Sequence, residues 1–135
     1  MEGEVANLAR IETDNAVAEL PIAAFDDCPI DLVHLSRQTF GERDLETELL
    51  RLFDRQSRQI VERLTVGPVA EARWRAELAH TLKGSARAVG AFAVAAAAEA
   101  YELDARAGAD LTRALAALTR AVAAAQAAIA ELLAG

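Results

Sequence analysis

The sequence predicts an all-α fold, an antiparallel up-down four-helix bundle with an additional short helix on its N-terminal side. Apolar residues recur at three- and four-residue steps through several long segments, as they do along one face of an α-helix. Alternating strand patterns and hairpin dipeptides such as Asn-Gly are absent from the sequence. Long amphipathic segments joined by short loops favour a bundle in which neighbouring helices are antiparallel.

The first two helices are bounded by caps and breaks. A short helix is predicted over residues 31–40, with a start after Pro29 and a stop near Gly41. The second is predicted over residues 44–65 and ends at the break VGPV, residues 66–69. Its apolar stripe is expected to consist of Leu45, Leu49, Leu52, Phe53, Gln56, Ile60 and Leu64.

Glycines divide the second half of the chain into three further helices. The third is predicted to begin near Ala70 and to stop or bend at Gly90. The fourth is predicted over residues 91–106 and closes at Gly108, after which Asp110 is the expected N-cap of the last helix. The last helix carries an apolar stripe that consists of Leu111, Leu115, Leu118, Val122, Ala125, Ile129 and Leu132.

Length, charge and the N-terminal sequence indicate one domain in the cytoplasm. A chain of 135 residues is long enough for one compact domain. Residues 1–28 mix charges with short apolar pieces and predict a loosely ordered lead-in, with a helical turn packed on the rest, before a bundle over residues 29–135. The formal charge of -7 excludes a general nucleic-acid binder, which needs a basic surface. The acidic N-terminus is not a signal peptide, and no apolar run is long enough to span a membrane. We expect a cytoplasmic monomer.

A glycine inside the third helix marks the candidate site. Gly84 lies in the segment AHTLKGSARAVGA, where a mid-helix glycine costs about 1 kcal/mol relative to alanine. The apolar stripe of this helix is predicted to be Trp74, Leu78, Leu82, Ser85 and Val89. Gly84 falls on the opposite, solvent face, so helix packing does not explain it. That face is predicted to consist of Arg73, Ala76, His80, Lys83, Gly84 and Arg87.

His80 is the candidate reactive residue on this face. An exposed imidazole is mostly neutral at physiological pH and is then a nucleophile. A catalytic triad has no support, because Ser85 lies about 140° around the helix and Cys28 is distant in sequence. A metal site is not predicted either, since His34 is the only other histidine and Glu77 lies at the edge of the face.

Three cations surround His80 on the predicted solvent face. Arg73, Lys83 and Arg87 form a local basic patch on a chain that is acidic elsewhere. Such a patch would hold an anionic phosphoryl group on the imidazole and would attract an acidic partner. An ordinary solvated helix face explains the charges equally well, but it does not explain why Gly84 stands beside His80.

The segment HTLKGSA, residues 80–86, followed by Gly90 and Ala91, resembles the signature of the histidine phosphotransfer domains of two-component phosphorelays. The stretch IDLVHLSRQTFGERDLETELLRLF is similar to the leading helices of that family. The resemblance covers most of residues 30–133. After the motif, the family pattern continues into a helix at Val94, Ala98, Tyr101 and Glu102.

The resemblance implies a four-helix bundle that exposes a phosphorylatable histidine midway along one helix. His80 would accept a phosphoryl group from an aspartyl phosphate on one receiver domain and pass it to the aspartate of another. Lys83 would help to neutralise the phosphoryl charge, and Gly84 would clear space for the receiver. A family glutamine that hydrogen-bonds the histidine would be Gln56 or Gln59 in this chain.

The implied partners are the receiver domains of a hybrid histidine kinase and of a response regulator. These domains supply the acidic pocket and its Mg²⁺, so the chain itself would need no cofactor. It has no glycine-rich nucleotide loop, and we therefore expect a phosphoryl carrier rather than a kinase or a hydrolase. The alternative is a non-catalytic helical adaptor that binds a receiver or another partner. A sensor-kinase dimerisation domain fits less well, because Thr81 stands where that family usually has an acidic residue.

Overall fold

A computed structural model describes residues 28–66 and 72–135, which form five α-helices and, within those ranges, no strand. The predicted lead-in up to residue 27 and most of the predicted break after α2 lie outside the described residues. The all-α prediction is confirmed. The helices are α1 (Leu32–Thr39), α2 (Arg43–Val66), α3 (Ala72–Val89), α4 (Phe92–Arg106) and α5 (Thr112–Ala134).

The four long helices make the bundle. Each of them packs against the next along the chain, and α5 closes the ring by packing against α2. The short helix α1 lies across α2 and α3. The contact between α3 and α4 is the most extensive of these helix pairs. This arrangement is the predicted four-helix bundle with a short N-terminal helix, and it fixes α3 and α4 side by side.

Helix α1 is held by the residues that the sequence indicated. Asp31 is its N-cap, and Oδ1 accepts a hydrogen bond from the His34 N–H at 3.0 Å. Phe40, with φ 55°, and Gly41, with φ 76°, end the helix in the left-handed conformation. The Asp31 N–H donates to the Gly90 carbonyl at 2.8 Å. A Cβ at Gly90 would lie 2.7 Å from the Asp31 carbonyl oxygen, so glycine permits this close approach.

The start of α5 differs from the prediction by one residue. Leu111, rather than Asp110, is the N-cap, and it makes no side-chain capping hydrogen bond. Asp110 still stabilises the start of α5, because its Oδ1 accepts hydrogen bonds from the Thr112 N–H at 3.0 Å and from the Thr112 hydroxyl at 2.8 Å. These hydrogen bonds, the one from the backbone first, lower the pKa of Asp110 below its usual value.

The buried side of α2 is rotated from the predicted stripe. Leu45 and Leu52 were placed on that stripe by their spacing, but they are 40% and 46% exposed. Two predicted core leucines therefore lie on the surface of α2, and Leu52 lines a groove between α2 and α3. The buried side chains of α2 are Leu50, Phe53, Ser57, Ile60 and Leu64.

Most of the buried residues of α3 are alanines. The prediction that Ala76 lies on the solvent face is wrong, because its exposed fraction is 0%. Ala76 lies seven residues before Lys83, on the side of α3 that α4 covers, and the close contact of the two helices suits a small side chain. Trp74 and Ser85, which were predicted to be in the apolar stripe, are half-buried. The buried residues are Ala76, Ala79, Leu82, Ala86 and Val89.

Helix α5 closes the core between α2 and α4. Leu132, at the end of its predicted stripe, is 39% exposed because it lies near the last turn of the helix. By length and composition, α5 is the one helix among the described residues that could cross a membrane. In the bundle it contributes the buried residues Ala114, Leu118, Val122, Ala125 and Ile129.

Candidate functional site

His80 lies near the middle of α3, with a side chain that is 63% exposed. Its position on the solvent side agrees with the helical spacing of the sequence. Among the described residues, the ring is held on one side, through a hydrogen bond to α4. The other side of the ring is open to the solvent, so a second molecule can reach it.

A buried carboxylate on α4 holds the His80 ring. Glu102 is 8% exposed, and its Oε2 and Oε1 lie 3.1 Å and 3.3 Å from His80 Nδ1. The position of Glu102 follows from the periodicity of α4, because it shares the inward face with Ala98 and Ala105. The carboxylate therefore occupies a core-facing position at the seam between α3 and α4.

Two cations complete the pairing of this carboxylate. Lys83 Nζ donates to Glu102 Oε1 at 3.0 Å, and its side chain is only 15% exposed. Arg106 donates to Oε2 through Nη2 at 3.0 Å and through Nε at 3.2 Å. A buried carboxylate needs such partners, since an unpaired charge in the interior is strongly destabilising. Lys83 is therefore a paired cation at the edge of the site, not a free surface lysine.

These contacts keep Glu102 ionised. Burial raises the pKa of its carboxyl, but the hydrogen bonds from Lys83, Arg106 and His80 outweigh burial and lower the pKa from the usual 4.5 to about 2. The carboxylate is consequently an acceptor only at any physiological pH.

The ionised carboxylate determines the tautomer of His80. Because Glu102 can only accept, His80 Nδ1 must carry the proton that it donates. In the neutral imidazole the lone pair then lies on Nε2, which makes no hydrogen bond within the described part of the chain. The geometry therefore presents Nε2 as the nucleophile and uses Nδ1 as the anchored end of the ring.

Arg73 and Arg87 lie on the exposed side of α3, as predicted, and each is paired with a surface carboxylate. Arg73 Nε lies 3.3 Å from Glu77 Oε2, and Arg87 Nη2 lies 3.3 Å from Glu99 Oε1. Exposed pairs of this kind contribute about 0–1 kcal/mol and exchange partners readily. Both guanidinium groups are thus available for an acidic partner at little cost.

Gly84 lies on the exposed side of α3, as its spacing predicts. A Cβ built at this position would have no atom within 4 Å. Packing within the described chain therefore does not require glycine here, and its φ is that of an ordinary helix. The space beside His80 is open because Gly84 has no side chain.

An apolar groove runs along α3 on the side away from Glu102. It encloses about 350 Å³ between α2 and α3. Gln56 lies in this groove, but within the described residues neither Gln56 nor Gln59 hydrogen-bonds His80. The carboxylate of Glu102 holds the ring instead. The groove is lined by Leu49, Leu52, Phe53, Gln56, Ser85, Ala88 and Val89.

Sequence reasoning placed Glu102 only as part of the family pattern and missed its contact with His80. A usable signal was present, because a glutamate at helical spacing from Ala95, Ala98 and Ala105 sits on a face that is otherwise alanine. Such a carboxylate must be paired with cations on the neighbouring helix.

No group of three potential metal ligands occurs in residues 28–66 or 72–135.

Comparison with known proteins gives a family match. The family profile described as Hpt domain matches residues 48–132, which is more than half of the chain. No curated protein and no solved structure gives a match. Hpt domains act as phosphotransfer carriers in phosphorelays, interact with receiver domains and are not kinase domains. The matched residues include α3 with His80, α4 with Glu102 and most of α2 and α5, so the chain belongs to the Hpt domain family.

Proposed function

We propose that this protein carries a phosphoryl group on His80 between the aspartates of two receiver domains. The observation that carries the proposal is the ionised Glu102 at His80 Nδ1, which leaves the lone pair of Nε2 exposed on α3. The family match supports phosphotransfer in general. The choice of His80, of Nε2 and of the surrounding residues rests on the geometry of this chain.

The transfer is a displacement at phosphorus. The Nε2 lone pair forms a P–N bond while the P–O bond of the aspartyl phosphate breaks, and the electron pair of that bond returns to the receiver's carboxylate. The reverse displacement passes the group to the second receiver. Catalysis of this kind is mostly positioning and charge stabilisation, with Mg²⁺ supplied by the receiver.

Glu102 stabilises the product as well as the tautomer. After transfer the ring carries phosphorus at Nε2 and a proton at Nδ1, so the imidazole is cationic. The carboxylate of Glu102 lies within hydrogen-bond distance of that proton and offsets the new charge. Lys83 and Arg106, which face the same carboxylate, place positive charge near the phosphoryl oxygens.

The surface on the other side of His80 suits a receiver. Gly84 leaves room beside the ring, and the α2–α3 groove exposes Leu52 next to Ala88. Arg73 and Arg87 flank the ring on the same helix and favour an acidic rim on the partner. Ala76 does not belong to this surface, since it is buried.

The proposal is tested by phosphoryl transfer from a panel of phosphorylated receiver domains to the purified protein. A His80→Gln variant with unchanged helix content is the control. Label that is stable in alkali and labile in acid, on the wild type alone, is the expected result for a phosphohistidine. The cytoplasmic location is a proposal that cell fractionation would test. The monomeric state is a proposal that gel filtration would test.

The same experiment separates the carrier from a non-catalytic adaptor. An adaptor would bind a receiver with equal affinity before and after His80→Gln and would take no label from any donor. Label on the His80→Gln variant would contradict the assignment of the residue while leaving phosphotransfer in place.

A further inference from the structure

A second apolar surface lies away from the His80 site, where α1 meets the start of α4. The groove at this surface encloses about 620 Å³. Leu32, Val33 and Phe92 line it with exposed fractions of 51%, 62% and 45%. The remaining lining residues are Cys28, Ile30, Asp31, Gly90 and Ala93.

Exposed apolar side chains continue from the groove along α4, interrupted by a charge. Phe92, Ala96 and Leu103 share one helix face by their spacing with the exposed Glu99, and Leu103 is 62% exposed. Phe92 and Leu103 are eleven residues apart, so this strip is roughly 16 Å long. The groove itself is the contiguous apolar part of this surface, and such a surface is normally covered by another segment or a partner.

The chain that precedes the groove has a matching composition. Residues 17–25, VAELPIAAF, contain one charge, Glu19, and Phe25 stands three positions before Cys28, which lines the groove. The point at which this segment joins the bundle is fixed, because the Asp31 N–H is bonded to the Gly90 carbonyl at 2.8 Å. Nine residues can span roughly 30 Å, which is more than the length of the strip.

We propose that residues 17–25 of the same molecule cover this groove. A segment tethered three residues from the groove is present at an effective concentration on the order of millimolar. A second copy of the chain is disfavoured as the occupant, because a formal charge of -7 on each copy opposes association. The segment would hold α1 against α3 and α4 and leave the His80 face free.

The first test replaces apolar residues of the segment in the full chain. In the double variant Ile22→Ser, Phe25→Ser, we expect the methyl resonances of Leu32 and Val33 to shift and amide exchange at Phe92 to rise at least threefold. A Leu8→Ser variant is the matched control and should change neither. Unchanged resonances and exchange in the double variant would overturn the proposal.

The second test substitutes a residue of the groove and measures how readily a protease cleaves the segment. Cleavage by a glutamate-specific protease at Glu19 should accelerate at least threefold in a Val33→Asp variant, while cleavage at Glu12 serves as the internal control. Equal cleavage rates at Glu19 in both proteins would contradict the proposal. Methyl shifts of Leu32 that depend on protein concentration would identify a second copy as the occupant and would overturn it as well. Neither test depends on the phosphotransfer proposal.

Discussion

The two flanks of α3 differ in what they offer to His80. On the α4 flank the ring meets a buried, ionised carboxylate that is held by Lys83 and Arg106. On the α2 flank the ring meets open space at Gly84, and an apolar groove with Leu52 half exposed lies farther around the helix. One flank is closed and charged, whereas the other is open and apolar.

This difference separates two tasks that a phosphoryl carrier must perform. In the proposed transfer, the α4 flank would set the tautomer and offset the charge of the phosphorylated ring, and so act on the chemical step. The α2 flank would provide surface for a partner, and so act on association. Substitutions on the two flanks should therefore change different kinetic parameters.

The largest effect is expected from Glu102→Gln. The amide can still accept from Nδ1, but it carries no charge to offset the phosphorylated ring, and Lys83 loses its ion pair. The maximal rate of phosphoryl transfer should fall by roughly ten- to a hundredfold, the usual range for a residue that orients a reacting group. Single-turnover transfer from a phosphorylated receiver measures this rate at saturation.

Glu99→Gln is the matched control for that experiment. Glu99 lies on the same helix and pairs with Arg87 at the surface, without contact to His80. Its substitution should leave the maximal rate within about twofold, since exposed pairs contribute little. If the maximal rate fell equally in the two variants, removal of any nearby negative charge would slow the reaction. This result would contradict the specific role of Glu102.

A smaller effect, on the α2 flank, is expected from Gly84→Gln. The Cβ meets no atom within 4 Å, so the variant should fold and gain about 0.5–1 kcal/mol in the free energy of unfolding from better helix propensity. Transfer should nevertheless slow by roughly tenfold, because a side chain beside Nε2 keeps the donor phosphorus from the attack distance. Urea unfolding and transfer kinetics on the same sample measure both changes.

The outcome that would count against this role for Gly84 is a more stable protein with an unchanged rate. A Gly84→Ala variant, which adds one methyl group, should lie between the wild type and Gly84→Gln in rate and match Gly84→Gln in stability.

Leu52→Asp should affect association more modestly. Leu52 is 46% exposed in the α2–α3 groove, and a carboxylate there would meet an apolar partner surface. The receiver concentration for half-maximal transfer should rise roughly fivefold, equivalent to about 1 kcal/mol, with the maximal rate unchanged. Leu132→Asp, at a leucine of α5 that is 39% exposed, is the control and should leave both parameters unchanged.

The smallest expected effect is the dependence of stability on pH near neutrality, because a pKa of about 2 keeps Glu102 charged throughout that range. Its folded-state pKa lies below the usual 4.5, so the stabilisation is complete above about pH 4.5 and is lost as the pH falls from there towards 2. In urea unfolding followed by Trp74 fluorescence, the stability difference between wild type and Glu102→Gln should shrink on acidification. A difference independent of pH between 3 and 7 would contradict this linkage.

Local sequence signals located the elements well. Caps and glycines placed the ends of α1 and the stop of α3 at Gly90, since these ends depend on the conformation of a few adjacent residues. The rotation of each helix was less predictable. Leu45 and Leu52 have the spacing of core residues, yet the neighbouring helices determine which side is buried.

The site was predictable along one helix and not between helices. Spacing alone put His80, Gly84, Arg73 and Arg87 on the exposed side of α3, where the structure has them. It put Ala76 there as well, because the periodicity of α3 contains no information about where α4 packs. The contact of Glu102 with His80 depends on the register of α3 against α4, which neither helix specifies by itself.

The most direct test of the central claim is to find which nitrogen of His80 becomes phosphorylated. The protein would be labelled with 15N-histidine, phosphorylated by a receiver and examined by 1H–15N correlation spectra. Phosphorus on Nε2, with the proton retained on Nδ1, is the expected result because Glu102 binds that proton. Phosphorus on Nδ1 would contradict it, since that nitrogen would have to leave Glu102 to react.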